Sequence, residues 1–154
     1  MAKRPQPGDP APDFELEGTG GRFRLADHRG RRVVLLFYPG DNTPVCTRQF
    51  CSYRDQADDL ADLDAVIVGI SAQELDSHAG FVAKHGLNVP LLADADSAVA
   101  KLYGAHAPVV GTRRAVIVID EDGCVRARHD HRIGIDFQDV DDLREMLGRV
   151  PART

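Results

Sequence analysis

Three uninterrupted apolar runs leave this chain few choices of fold: RVVLLFY (32–38), AVIVGIS (65–71) and RAVIVID (114–120). A strand with one wet face alternates apolar with polar residues, whereas a continuous β-branched and aromatic run needs cover on both faces. The cover is supplied between the runs. TPVCTRQFCSYRDQADDLADL (43–63) predicts one helix, with Thr43 as N-cap, Pro44 at the first helical position, and Phe50, Tyr53 and Ala57 forming its apolar face. SHAGFVAKHG (77–86) predicts a second helix stopped near Gly86. VPLLAD is a short extended piece, and DSAVAKLYG a short helix capped by Asp96 or Ser97. Strands alternating with helices define an α/β layer fold with parallel pairing at its centre.

The flanks complete the plan. Pro5, Pro7, Pro10 and Pro12 make residues 1–12 an extended arm. DFEL and RFRL read as a hairpin around GTGG (18–21), a turn rather than a phosphate loop, because the glycines lie between short alternating runs. After the last buried run, the turn at Glu121, Asp122 and Gly123 leads into CVRARHDHRIG, a strand with one wetter face, and DFQDVDDLREMLGRV closes the chain as a helix. A terminal hairpin strand followed by a helix is what a thioredoxin-like sheet requires. The expectation is one domain over residues 1–154, with a central mixed sheet flanked by helices and an N-terminal β-hairpin.

At 154 residues, 43% apolar and 28% charged, the chain can bury a proper core. A formal charge of −5 gives no reason to expect a nucleic-acid or anionic-membrane partner. No apolar stretch of secretory-signal or membrane-span length is present, so a cytoplasmic protein is expected. Three cysteines are too few, and odd in number, for a disulfide framework, and a close pair among them points to redox or metal chemistry.

That pair is Cys46 and Cys51. Cys46 falls in the first turn of its helix, where unpaired N–H groups and the helix dipole favour a thiolate; the competing reading is a structural cysteine filling an apolar hole. Residues five apart on an intact helix have Cα atoms roughly 8–9 Å apart, beyond the 4.4–6.8 Å or so that a disulfide spans. Bonding between them requires the first turns to unwind. A zinc site lacks a second tight ligand pair: His129 and His131 share a strand face but read as solvated surface. The aspartates at 94 and 96 read as a turn and helix cap rather than a calcium loop. No metal or other cofactor is expected. Cys124 reads as an inert packed thiol at the start of a strand.

YPGDNTPVC carries Pro39, Thr43 and Cys46 in a Pro-x-x-x-Thr-x-x-Cys pattern that resembles the peroxiredoxins. The longer FYPGDNTPVCTRQFCSYRD resembles the bacterioferritin-comigratory or PrxQ subgroup, as do GDPAPDFEL and RAVIVIDEDG. The resemblance implies a thiol peroxidase that reduces hydrogen peroxide and organic hydroperoxides. Cys46 would be the peroxidatic cysteine that becomes a sulfenic acid. Cys51 would resolve it as an intramolecular disulfide, reopened by a thioredoxin-like dithiol donor. Thr43 would hydrogen-bond thiolate and peroxide, Pro39 would shield the site, and Arg114 would steady the charge, with Arg113 turned to the surface. Gln49 holds a position where Glu or Gln is usual. Val45 and Phe50 are larger than the family's usual residues and would narrow the entrance or slow unwinding; 104–112 is short and would shape the substrate mouth. The resemblance favours a monomer and leaves a dimer open. Three other functions compete: a thiol–disulfide oxidoreductase, opposed by the missing C-x-x-C; a non-enzymatic redox sensor, which would react once rather than turn over; and, weakest, a metal-binding protein, which metal analysis would reveal.

Overall fold

The computed structural model describes residues 5–41, 43–107, 111–130 and 137–148. The three apolar runs form β3 (Val33–Phe37), β4 (Val66–Ser71) and β8 (Ala115–Ile119), after the N-terminal hairpin of β1 (Glu15–Gly18) and β2 (Gly21–Arg24). With β5 (Leu91–Ala93) and β9 (Val125–Asp130) they make one sheet in the order β2-β1-β5-β4-β3-β8-β9. β3 pairs in parallel with β4, and β4 with β5, while β8 and β9 run antiparallel. The sheet is mixed, as expected, and the fold is thioredoxin-like. A separate two-stranded ladder, β6 (His106–Ala107) with β7 (Gly111–Thr112), carried no sequence signal.

β3 explains why its run has no polar partner. Val34 and Leu36 point into one core with Phe50, Tyr53, Phe81 and Leu143. Val33, Leu35 and Phe37 point into the other with Phe14, Phe23, Val99 and Tyr103. Alternate residues face opposite sides of a strand, so both sides must be apolar. Helices α1 (Pro44–Asp55), α3 (Leu75–His85) and α5 (Val140–Gly148) cover the first face, and α4 (Ala98–Leu102) the second.

The expected 43–63 helix is instead two: α1, then α2 (Ala57–Ala61) after a break at Gln56 (φ −112°, ψ 39°). In one helix, Asp58, Asp59 and Asp62 would crowd the negative C-terminal end of the dipole. The break puts Asp58 and Asp59 in the first turn of a new helix, at its favourable end. Ala57, assigned to the apolar face, is exposed beyond this break. α3 stops at Gly86, which takes the left-handed conformation (φ 61°) that glycine adopts freely.

The cap of α4 also differs from expectation. Ser97 holds the cap position without a side-chain bond, and Asp96 accepts only from the Ala98 amide. Buried Asp94 does more, with one oxygen on the Val99 amide at 3.0 Å and the other on Ala100 at 2.9 Å. The N-terminal arm lies against the β9 edge through a Pro10–Cys124 bridge. His131 and residues 108–110 lie outside the described residues, as do residues 1–4 of the arm. Among the described residues no helix is long and apolar enough to cross a membrane.

Candidate active site

β3 ends at Phe37, the chain turns through Tyr38–Asp41, and α1 begins at Pro44, so the start of α1 sits at the carboxyl end of a central strand. Thr43 is the N-cap. Its hydroxyl accepts from the Cys46 amide and donates to the Gly40 carbonyl, both at 3.3 Å. The hydroxyl is thus committed to the backbone of the turn in this state, not to the Cys46 sulfur. Cys46 is fully buried in the apolar cluster that also holds Tyr38 and Phe50.

The antiparallel partner of β3 supplies the charge. Ala115 pairs with Phe37, which places the preceding residue, Arg114, just past the end of β3 and opposite the start of α1. Arg114 is only 3% exposed, and its Nη2 donates to Cys46 Sγ at 3.0 Å. Its Nη1 donates to Gln49 Oε1, one helical turn beyond Cys46. Arg113 is half-buried and, among the described residues, bonds to neither Cys46 nor Gln49, in keeping with adjacent residues of an extended segment facing opposite sides. A buried cysteine in apolar surroundings would fit the structural reading, but an apolar hole does not receive a buried guanidinium.

The other expected residues are placed less centrally. Pro39 is exposed at the turn. Cys51 is half-buried on the same unbroken helix as Cys46, and both are free thiols. Phe50 is fully buried against Tyr38, Tyr53 and Phe81, with ring centroids at 4.8, 5.7 and 6.2 Å. Its ring tip lies so near Gly69 that a Cβ there would meet it at 3.0 Å. Val45 is half-buried, and Cys124 is a half-buried free thiol beside β9. Among the described residues no group of three or more His, Cys, Asp or Glu could hold a metal ion.

Two polar networks around this site escaped the sequence reading. In the first, the buried Asp41 carboxylate accepts from Tyr38 OH at 2.7 Å and Ser77 Oγ at 2.7 Å, and pairs with His78 Nδ1 at 2.8 Å. The Asp41 amide donates to Gln73 Oε1. The turn leading to Cys46 is thereby pinned to the first turn of α3 and the loop before it. Burial opposes ionisation of Asp41, but the bonds from His78, Ser77 and Tyr38 outweigh it and hold the carboxyl below its ordinary value. Burial, reinforced by the neighbouring Asp41 charge, pushes the Tyr38 hydroxyl well up. The signal was a histidine at position 78 on an otherwise apolar helix face. In the second network, Gln49 Nε2 donates to Tyr53 OH at 3.0 Å, and Tyr53 OH donates to the Gln138 carbonyl at 2.5 Å.

A buried cysteine at a helix start, facing an arginine from the neighbouring strand end, is the arrangement of a thiol-based redox site. The AhpC/TSA family profile matches residues 7–128. A chain of Mycobacterium tuberculosis named as a putative peroxiredoxin is 42% identical over 125 residues, covering 76% of this chain and 80% of the relative. Peroxiredoxin Bcp of Bacillus subtilis is 37% identical over 124 residues, covering 75% and 79%. Among solved structures, peroxidoxin BcpB of Mycobacterium tuberculosis superposes with a TM-score of 0.81 at 31% identity, covering 95% of this chain and 96% of its own. The chain belongs to the AhpC/TSA family, among its peroxiredoxins, which are thiol peroxidases.

Proposed function

We propose that this enzyme reduces hydrogen peroxide and organic hydroperoxides through Cys46, with Cys51 as the resolving thiol and a thioredoxin-like dithiol as the electron donor. The observation that carries the reading is the buried Arg114 donor 3.0 Å from the fully buried Cys46 sulfur in the first turn of α1. Fixed donors aimed where negative charge develops act strongly in such a site. The Cys46 thiolate attacks one peroxide oxygen and the O–O bond breaks. The second oxygen leaves with the bonding pair and takes a proton as water or alcohol, leaving a Cys46 sulfenic acid. Cys51 then attacks that sulfur, the hydroxyl departs as water, and a disulfide forms. The donor dithiol returns two electrons by exchange and is itself oxidised to a disulfide. The sequence balances without metal, haem or flavin.

In this reading Arg114 steadies the thiolate and the leaving oxygen. Thr43 sets the first turn and offers its hydroxyl to the incoming peroxide, while Pro39 guards the exposed end of the loop. Both cysteines lie on one helix, so a monomer suffices. Three cysteines, too few and odd in number for a disulfide framework, suit the reducing cytoplasm, where we place the enzyme. Steady-state peroxide consumption with a thioredoxin system is the test. Cys46→Ser should abolish turnover, and substantial residual activity would overturn the assignment. Cys51→Ser should oxidise once rapidly and then stall unless an external thiol is added.

A further inference from the structure

The proposed function leaves unexplained why Gln49, a neutral side chain, should be the partner of the Arg114 guanidinium. A carboxylate presents two equivalent oxygens to a cation. An amide presents one oxygen and one NH₂ group, and turned by 180° it sets donor against donor. Nothing in Arg114 prevents that turn except the loss of the bond itself. Gln49 is 1% exposed, so no water competes to hold its amide either way.

We infer that Tyr53 is a positioning residue that fixes the Gln49 amide, and through it Arg114, for the reaction at Cys46. Its hydroxyl oxygen receives Gln49 Nε2 at 3.0 Å, which leaves Oε1 facing Arg114 Nη1. A hydroxyl can also donate, and could in principle pair with a turned amide oxygen. That alternative is closed because the Tyr53 proton is committed to the Gln138 carbonyl at 2.5 Å. A backbone carbonyl only accepts, so the direction of every bond is set from that end: Tyr53 donates to Gln138, Gln49 donates to Tyr53, Arg114 donates to Gln49 and to Cys46. Tyr53 is fully buried, and burial pushes its hydroxyl up, which keeps the proton that fixes this polarity. Arg114 depends on the chain of bonds because its Nε is buried with no partner among the described residues. The guanidinium is therefore aimed by its two terminal nitrogens alone.

The inference rests on the peroxidase reading and is tested by the effect of Tyr53→Phe in two backgrounds, the wild type and the Gln49→Glu variant. Single-turnover oxidation of Cys46 by hydrogen peroxide is the readout, with urea unfolding alongside. In the wild-type background, Tyr53→Phe should slow oxidation by up to about tenfold, the upper size of one lost neutral hydrogen bond. In the Gln49→Glu background the same change should alter the rate less than about twofold, because a carboxylate needs no orientation. The contrast between the two rate ratios separates positioning from packing; the stability changes need not match across backgrounds, because a carboxylate at position 49 offers the Tyr53 hydroxyl a second acceptor beside the Gln138 carbonyl. Equal slowing in both backgrounds, or none in the first, would overturn the inference. A wild-type protein that ignores peroxide would instead refute the peroxidase reading. As a measurement on the reduced wild-type chain, the Gln49 side-chain NH₂ should exchange with solvent far more slowly than an exposed glutamine; rapid exchange would contradict its fixed orientation.

Discussion

Replacing Phe50 with leucine should make the protein less stable and its disulfide faster to form. Cys46 and Cys51 share one intact helix, so their Cα atoms stand roughly 8–9 Å apart and α1 must open before the sulfurs meet. Phe50 adjoins Cys51 in sequence and is fully buried among Tyr38, Tyr53 and Phe81. Opening that carries Cys51 towards Cys46 lifts this ring out of the core. Burying such a ring contributes about 1.5–3 kcal/mol, and each well-oriented aromatic pair adds about 0.5–1.5 kcal/mol. Leucine retains most of the burial and replaces the three ring pairs with weaker aliphatic contacts that recover part of their worth, so the closed helix is weakened by about 1–2 kcal/mol relative to the open one. Disulfide formation after sulfenic acid should accelerate by roughly five- to thirtyfold. Acid-quenched alkylation followed by mass spectrometry gives that rate, and urea unfolding gives the stability loss. An unchanged or slower rate, with stability lowered by the amount expected, would show that Phe50 stays packed while the helix opens.

Asp41→Asn places an amide among three groups that now share a carboxylate, and should cost about 3 kcal/mol in urea unfolding while slowing peroxide reduction; a loss below about 1 kcal/mol would refute the anchoring role. The Asp41 carboxyl is held below its ordinary value of about 3.8, so its stabilisation is complete above that pH and is lost as pH falls through the lower folded value. Stability measured across that acid window should therefore decline less steeply in Asp41→Asn than in the wild type. Thr43→Val removes the cap bond to Cys46 and should lower stability by about 1 kcal/mol together with the oxidation rate, whereas Thr43→Ser should preserve both, as thermal unfolding and single-turnover kinetics would show.

The parts of this molecule that the sequence made legible are those governed by local or periodic rules. Val33–Phe37 could only be a strand covered on both faces, and Thr43-Pro44 could only begin a helix that puts Cys46 in its first turn. The parts that stayed hidden depend on partners distant in sequence. Asp94 was read as part of a turn, yet the fold buries it under the amides of Val99 and Ala100. Asp41 meets His78 and Ser77 only because the end of β3 lies beside the start of α3. Tyr53 looked like one more apolar-face residue, and its hydroxyl gained meaning only from the Gln138 carbonyl 85 residues away. The break at Gln56 was hidden differently, since apolar spacing carries on through it while the aspartate charges do not favour one continuous helix. Arg114 lay between these cases: alternation showed that one of two adjacent arginines faces the site, and family resemblance chose which.

The central claim is that Cys46 reacts first and that α1 opens to deliver Cys51. It is tested most directly by mixing reduced protein with one equivalent of hydrogen peroxide and mapping the products by non-reducing peptide mass spectrometry. A Cys46–Cys51 disulfide formed within seconds, with Cys124 still free, is the expected result. Slow, unselective oxidation of all three thiols, or a stable sulfenic acid at Cys46 with Cys51 untouched, would contradict it.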